Sequence, residues 1–399
     1  MKKSLFLAMA AVALLSGCSK DDGSITIDNG NGSNLDPDAV QIHLGTGLPT
    51  AIVTPKTRAV VESPKNWNGL KVGIYALAKN AQVNGVDLVW SNNDLGQRLL
   101  DNIEGTIAEG VDPSINLNGN YYYPMSQGMN YTFYGYYPRV DAPVVTDDAV
   151  TASYALTGQD DILWGRAVAS NIENAGTTYE GYNARYFRKN TGTATDPTID
   201  FKHKLVRLDF KLKAGTEEGG DATAATNVKV KSINVVCQNK GVNLTIADKN
   251  KMNNTGTLEV GEITTTALTT EPAFIKENPD AAYCLPLYSD YTSSTVNTVY
   301  TGKPTAESAT TPMSIGLPIM LPTPALAIAG ETAYYVKVEL EASATQTLST
   351  VIPVSTADGF LAGNKYDVTL VVNGLTGIKI NATLTGWQNG SKPDDVEIN

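Results

Sequence analysis

Histidine is scarce in this chain, which contains only His43 and His203 among its 399 residues. Proton transfer in enzymes most often recruits histidine, and no Gly-x-Ser-x-Gly nucleophile elbow is present to accompany either residue. His203 begins an amphipathic segment, where a structural role is the simpler interpretation. The composition therefore favours a protein that is not an enzyme.

Cysteine is equally rare, with three residues in the whole chain. Cys237 and Cys284 lie far apart, and neither they nor the histidines follow zinc-ligand spacing. Calcium-loop and phosphate-loop motifs are also missing. We therefore expect no metal and no cofactor, and the spacing leaves two alternatives for Cys237 and Cys284: a disulfide or two buried thiols.

Positive charge is in deficit, since the formal net charge is −11. An acidic surface repels phosphate backbones, which disfavours nucleic acid as a partner.

Long apolar runs are missing as well: Leu5–Leu15 is the longest and is too short to span a bilayer. It follows the basic Lys2 and Lys3 and precedes Leu15-Ser16-Gly17-Cys18. This arrangement predicts a secretion signal that ends in a lipidation site, with Cys18 as the acylated residue.

Threonine, valine, isoleucine and tyrosine are abundant, and glycine and asparagine recur between short apolar runs, which is typical of β-structure. Residues 19–39 form a polar tether. Val40, Ile42 and Leu44 then alternate with polar residues and predict a short strand. Leu70–Leu77 has apolar residues on both faces, so we expect that strand to be covered on both sides. A helical period occurs only weakly, around Asp94–Ile103.

Two aromatic runs, Tyr121–Tyr123 and Tyr131–Tyr137, are each closed by a proline and predict a hairpin. Their tyrosines either stack on sugar rings in an exposed cleft or form the core of a sandwich, and regular strands favour the core. Further on, Val206–Leu212 has one apolar and one charged face. Short strands without intervening helices indicate an all-β protein with two β-sandwich domains that meet near residue 198.

The last two strands are the clearest, because both alternate without a break. Their apolar residues are Val368, Leu370 and Val372 in the first strand, and Ile378, Ile380 and Leu384 in the second. Together they predict an antiparallel hairpin with one buried face.

Eight short motifs, each weak alone, occur in an order that resembles a known family. They are Leu15–Cys18, Thr57-Arg58, Trp67, Val72–Tyr75, Tyr131–Pro138, Asp161–Gly165, His203–Leu208 and Leu384–Trp387. In these motifs and their order the chain is similar to bacterial fimbrillins of the FimA and Mfa type. The resemblance implies two tandem transthyretin-like β-sandwiches and a lipoprotein precursor that assembles outside the cell.

The resemblance also implies maturation by an arginine-specific protease, which would cut between Arg58 and Ala59 and remove the strand of Val40, Ile42 and Leu44. The expected organisation is a signal peptide at 1–18, a tether and propeptide at 19–58, and sandwich domains at 59–198 and 199–399. A strand from a neighbouring subunit would then refill the opened groove by β-augmentation. In stalk members of the family that strand comes from the C-terminus, so both strands of the terminal hairpin are candidates.

The expected partners are other copies of the chain and other fimbrial subunits, together with the outer membrane through the lipid on the precursor. The expected location is a cell-surface fimbrium, where the subunit supports adhesion, and its receptor is not defined by the sequence. Two alternatives stay open at this stage: a carbohydrate-binding surface lipoprotein that does not polymerise, and a fimbrial tip or anchor subunit.

Overall fold

The computed structural model describes most of the chain between Asp38 and Thr385. The described residues are 38–47, 67–80, 98–108, 113–125, 129–168, 171–174, 177–180, 182–216, 222–236, 240–248, 263–265, 284–293, 296–322, 326–328, 331–354, 359–376 and 378–385. Within them no helix is both long and apolar enough to cross a membrane.

Almost all regular structure in the described residues is β-strand, which confirms the all-β prediction. The first strands are β1 (Leu44–Gly47), β2 (Lys71–Asn80), β3 (Arg98–Ala108), β4 (Ser114–Leu117), β5 (Met129–Tyr137), β6 (Val144–Val145), β7 (Ala149–Ala155), β8 (Leu163–Ala167), β9 (Asn171–Asn174), β10 (Thr177–Glu180), β11 (Thr198–Asp200) and β12 (Lys202–His203). The others are β13 (Val206–Ala214), β14 (Lys229–Val236), β15 (Gly241–Asp248), β16 (Ile263–Thr265), β17 (Cys284–Pro286), β18 (Tyr288–Ser293), β19 (Val296–Val299), β20 (Met313–Leu321), β21 (Leu326–Ile328), β22 (Glu331–Ser343), β23 (Gln346–Val354), β24 (Lys365–Val372) and β25 (Ile378–Thr385).

The helices are short: α1 spans Ala184–Lys189 and α2 spans Thr223–Thr226. Asn183 caps α1, because its side chain accepts a hydrogen bond from the backbone N–H of Tyr186. The weak helical period around Asp94–Ile103 was misleading: within the described part of that stretch, Arg98 begins strand β3. Strand pairing with β2 outweighs the local preference there.

An eight-stranded sheet in the order β11-β1-β4-β3-β2-β5-β8-β12 forms the N-terminal half. Its two outermost strands are separated in the chain only by Phe201, so the sheet curves until its ends meet. Gly165 on β8 permits the closest approach, since a Cβ there would lie 2.4 Å from the carbonyl oxygen of Asp200. The backbones can come this close only without a side chain.

Both faces of β2 are buried in this sheet, as the pattern of Leu70–Leu77 predicted. Val72, Ile74 and Ala76 face one cluster, which we call the N-terminal core. Tyr75 and Leu77 face a second cluster, which we call the shared core. All five side chains are at most 1% exposed, so β2 is covered on both sides.

The shared core is covered by a four-stranded sheet in the order β16-β15-β7-β6. Strands β6 and β7 precede residue 198, whereas β15 and β16 follow it. The central pair is antiparallel and runs from Gly241 opposite Ala155 to Asp248 opposite Ala149. Leu244 on β15 is fully buried against this core. The two halves of the chain are therefore joined by a continuous sheet and a common apolar cluster.

The C-terminal half is a sandwich of two sheets. One sheet has the order β20-β13-β24-β25, and the other has the order β17-β14-β22-β21 with β23 paired to β22. Their inner faces form the C-terminal core, to which β13 contributes Val206, Leu208, Phe210 and Leu212. The alternation predicted for this strand is confirmed.

The hairpin predicted from the two aromatic runs is wrong. Strand β5 contains the second run and pairs with β2 and β8, and Tyr121–Tyr123 forms no strand. Instead, Tyr122 makes an isolated bridge with Gln41. The burial prediction is correct, since Tyr121, Tyr123 and Tyr131 are at most 6% exposed. Local aromatic content indicated extended backbone, but it did not identify the pairing partner.

Candidate functional site: the groove of the N-terminal segment

Residues Asp38–Gly47, which we call the N-terminal segment, lie inside the large sheet. Strand β1 lies between β11, with which it is parallel, and β4, with which it is antiparallel. The backbone N–H of Gly45 donates to the carbonyl of Pro197 at 3.0 Å, and the N–H of Phe201 donates to the carbonyl of Gly47 at 3.0 Å. The segment is thus an interior strand that holds two neighbouring strands together.

The earlier part of the segment is bonded to the first tyrosine run. The N–H of Ile42 donates to the carbonyl of Tyr121 at 2.8 Å, and the N–H of Tyr123 donates to the carbonyl of Val40 at 2.9 Å. The side-chain amide of Gln41 adds a 3.1 Å bond to the Asn120 side chain. The groove therefore has three walls: β4, β11 and Tyr121–Tyr123.

The apolar side chains of the segment enter the N-terminal core. Ile42 is 4% exposed and Leu44 is 3% exposed, whereas Val40 is half-buried at the edge of the same cluster. Burying each large aliphatic side chain contributes about 1.5 to 3 kcal/mol. Ile42 and Leu44 therefore account for most of the apolar stabilisation that the segment provides.

Thr46 continues the same alternation, although the predicted strand ended at Leu44. Its side chain is 4% exposed, and its hydroxyl donates to the carbonyl of Ile199 at 3.3 Å. Thr46 falls on the period of two that begins at Val40, but its polar side chain hides this pattern in the sequence. The buried face of the segment therefore has four positions.

The segment lines a cleft of about 590 Å³ together with Pro113–Leu117, Thr195, Asp196 and Thr198. His43 and Asp196 are among the lining residues. Partial burial raises the pKa of the Asp196 carboxyl, and the nearby His43 side chain offsets part of that rise. His43 is exposed to solvent at the rim of the groove, which weakens this interaction.

The predicted donor residues Val368, Leu370 and Val372 lie on β24 and are fully buried in the C-terminal core. Strand β24 has a neighbour on each side, with β13 parallel and β25 antiparallel. The other predicted residues, Ile378, Ile380 and Leu384, lie on β25. Among the described strands β25 is paired only with β24 and forms an edge of its sheet.

Three predicted site residues, Cys18, Arg58 and Ala59, lie outside the described residues. Along the chain, Arg58 lies between Gly47 at the end of the segment and the buried Trp67. Cys237 also falls outside the described residues, while the Cys284 side chain is buried.

The histidine considered for catalysis is paired inside the protein. Nδ1 of His203 lies 2.8 Å from a carboxylate oxygen of Asp161, and both side chains are fully buried. This contact joins β12 to the residues just before β8. In the described part of the chain, no three histidine, cysteine or acidic side chains are grouped so that they could hold a metal ion.

Comparison with known proteins gives one family match. A family model described as fimbrillin-like matches residues 57–387. No curated protein matches the chain.

Several solved structures align with most of this chain at low sequence identity. A putative cell adhesion protein from Bacteroides uniformis is 16% identical, and the alignment covers 89% of this chain and 100% of that one with a TM-score of 0.48. A fimbrial protein from Bacteroides vulgatus is 13% identical, and the alignment covers 87% of this chain and 99% of that one with a TM-score of 0.43. The tip fimbrial protein Mfa3 from Porphyromonas gingivalis is 7% identical, and the alignment covers 87% of this chain and 100% of that one with a TM-score of 0.38.

Proposed function

Because the chain belongs to the fimbrillin-like family, we propose that it is a structural subunit of a surface fimbria that polymerises by strand exchange. In this proposal an arginine-specific protease cuts the precursor between Arg58 and Ala59, the N-terminal segment leaves, and a strand of another subunit takes its place. The mature subunit then consists of two tandem transthyretin-like domains, 59–198 and 199–399, and supports adhesion.

The observation that carries the proposal is the position of the N-terminal segment between β4 and β11. The chain that joins this segment to the domain passes through Arg58, so a cut there leaves the segment held only by hydrogen bonds and apolar contacts. Its departure exposes the unpaired edges of β4 and β11 and the apolar site of Ile42 and Leu44. Such edges are templates for pairing with another chain.

We assign the donor strand to β25, since β24 is fixed on both sides. The Lys365 ammonium on β24 lies 3.0 Å from Asp209 on β13, and the Lys211 ammonium on β13 lies 2.9 Å from Asp367 on β24. These ion pairs and the buried face of β24 hold it against β13. Strand β25 loses only one row of backbone hydrogen bonds when it leaves.

The sequence of β25 also suits the groove. Ile378, Ile380, Ala382 and Leu384 alternate with polar residues, as Val40, Ile42, Leu44 and Thr46 do in the segment. Four successive apolar positions can thus replace the four inward positions of the segment in the same period. One strand passed from subunit to subunit in this way gives a head-to-tail contact that does not close, and the product is a filament.

Delivery to the cell surface is assigned to the acylated Cys18 of an outer-membrane precursor, which is lost with the segment on cleavage. The partners are other copies of the chain and other fimbrial subunits. A tip or anchor position in the fimbria is the second candidate.

The alternative of a sugar-binding cleft at Tyr121–Tyr137 loses support, because the tyrosines at 121, 123, 131, 134 and 136 are at most 6% exposed.

The test uses the full-length precursor with Cys18→Ser, so that it is free of lipid, mixed with an arginine-specific protease. We expect a new N-terminus at Ala59 and ladders of bands that resist heating in detergent. Arg58→Lys is the matched variant, because it keeps the positive charge but removes the cleavage site, and it should give no ladder. A single processed band at monomer size would contradict polymerisation.

The donor assignment has its own test, which uses a chain that ends at Gly377. After cleavage this chain should form no ladder, because it retains the groove but lacks β25. A synthetic peptide of Ile378–Thr385 should then bind the processed chain and raise its melting temperature. A peptide with Ile380→Asp and Leu384→Asp is the control and should not bind. Ladders from the truncated chain would assign the donor role to another strand.

A further inference from the structure

Strands β18 and β19 form a two-stranded ribbon in the C-terminal half. All four residues of β19 are exposed, and the exposed fractions of Val296 and Val299 are 60% and 38%. We call this pair of strands the aromatic ribbon, because β18 carries Tyr288 and Tyr291.

The strand register shows which side chains share a face. Tyr288 lies opposite Val299, and Tyr291 lies opposite Asn297, with an irregularity in the pairing after Tyr288. Residues directly opposite each other in an antiparallel pair point to the same side. The two tyrosine rings are also in contact, with centroids 5.2 Å apart and planes inclined by 42°. One face of the ribbon therefore presents two adjacent phenol rings beside an exposed valine.

The chemistry of this face is apolar and uncharged, with hydroxyl groups at its margin. Burial raises the pKa of Tyr288, with a further rise from the neighbouring Tyr291, so its phenol is neutral and can donate a hydrogen bond. The rest of the ribbon is mainly serine, threonine and asparagine. Rigid tyrosine rings surrounded by small polar residues are the composition of binding surfaces that recognise ligands with both apolar and hydroxyl groups.

We propose that the face formed by Tyr288, Tyr291 and Val299 binds a neutral saccharide. A pyranose ring has an apolar face of C–H groups that can stack on a phenol ring, and hydroxyl groups at its edge that can bond to tyrosine hydroxyls. Charge restricts the ligand to neutral sugars. The protein carries a net charge of −11, and Asp290 is exposed on the same ribbon, so sialylated and sulfated glycans are repelled.

This proposal is independent of strand exchange, because β18 and β19 do not pair with any described strand of the groove. It also separates two groups of tyrosines in the chain. Tyr131, Tyr134 and Tyr136 of β5 are buried in the cores, whereas Tyr288 and Tyr291 are partly exposed on the ribbon.

The experiment measures binding of the lipid-free full-length chain to a printed array of neutral oligosaccharides that end in galactose, glucose or N-acetylglucosamine, with sialylated and sulfated versions of the same sugars alongside. We expect binding to at least one neutral class and weaker binding to its anionic version. Tyr291→Ala should lower the affinity by about tenfold or more, as is usual for a central aromatic contact. Tyr291→Phe keeps the ring and should retain most of the binding.

A second variant guards against a folding defect at the tyrosines. Val299→Glu changes an exposed residue, should leave the melting temperature unchanged, and should abolish binding by placing a negative charge on the face. Val144→Glu, at an exposed position on β6, is the matched control and should bind normally. The proposal is overturned by an absence of neutral-sugar binding, by a preference for anionic sugars, or by unchanged binding in Val299→Glu.

Discussion

Trp164 donates its indole N–H to the carbonyl oxygen of Ile246 at 2.9 Å. This bond connects β8, in the N-terminal half, with β15, which follows the predicted boundary near residue 198. It belongs to the same region in which β15 pairs with β7 and Leu244 enters the shared core. The two halves of the chain are consequently coupled by backbone, side-chain and apolar contacts at one place.

From this coupling we predict that the halves unfold together. Trp164→Phe keeps the aromatic ring but leaves the buried carbonyl of Ile246 without this donor, which should cost about 1 to 3 kcal/mol in the free energy of unfolding. Denaturant unfolding should show one transition at a lower midpoint, whether followed by fluorescence or by circular dichroism. Val144→Ala, at an exposed position on β6, is the control and should leave the midpoint unchanged. Two resolved transitions would contradict the coupling.

Local alternation was enough to predict the individual strands of the site. The period of two in Val40, Ile42 and Leu44 identified a strand with one buried face, and the structure places Ile42 and Leu44 in the core. The terminal hairpin was found for the same reason, and its register pairs Leu370 with Ile380. A period is a property of neighbouring residues, so it can be read without knowledge of the fold.

Pairing partners could not be predicted in this way. Leu44 lies opposite Ile115, and Thr46 lies beside Ile199, which is more than 150 residues further along the chain. Nothing in the local pattern encodes such distant contacts. For the same reason the sequence suggested a boundary near residue 198 but did not suggest that β15 crosses it to pair with β7. The shared core arises from contacts that form only in the folded chain.

A second prediction concerns how much each of the two alternating faces of the N-terminal segment contributes to stability. Leu44→Ala removes a side chain that is 3% exposed in the core, and it should lower the free energy of unfolding of the uncleaved precursor by about 2 to 5 kcal/mol. His43→Ala is the adjacent control on the outer face, where the effect should stay within about 0.5 kcal/mol. Thermal and denaturant unfolding of both variants measure the difference.

After cleavage at Arg58 the same two variants should also differ in how fast the segment dissociates. Because the segment is then held without a covalent link, the Leu44→Ala segment should dissociate faster than the His43→Ala segment. Release can be followed by size-exclusion chromatography with a fluorescent label at the N-terminus. Equal release rates would mean that apolar burial of Leu44 does not hold the segment in the groove.

A third prediction concerns Asn102, the non-glycine residue with a left-handed backbone, at φ 53°, in the described chain. Its side-chain amide donates to the carbonyl of Val140 at 2.8 Å and accepts from the hydroxyl of Tyr136 at 2.6 Å. Asn102→Ala loses both bonds and keeps the unfavourable φ, whereas Asn102→Gly loses both bonds but relieves the backbone. We expect alanine to be the more destabilising by about 1 kcal/mol, as measured by denaturant unfolding.

The same cluster gives a pH-dependent prediction at Tyr136. Burial raises the pKa of this phenol to about 12, a rise partly offset by the hydrogen bond to Val140. In the unfolded chain the phenol ionises near pH 10. Between these values the folded protein keeps a proton that the unfolded protein has released, so ionisation favours the unfolded state. The stability contributed by Tyr136 is complete below pH 10 and is lost as the pH rises towards 12.

Tyr136→Phe removes this ionisation and isolates its effect. At pH 8 the variant should be less stable than the native protein, because it lacks the hydrogen bond to Asn102. As the pH rises from 10 to 12, the native protein should lose up to about 3 kcal/mol that the variant does not lose. The gap between the two unfolding free energies should therefore narrow or change sign. A constant gap across this range would show that the Tyr136 phenol ionises equally well in the folded and unfolded protein.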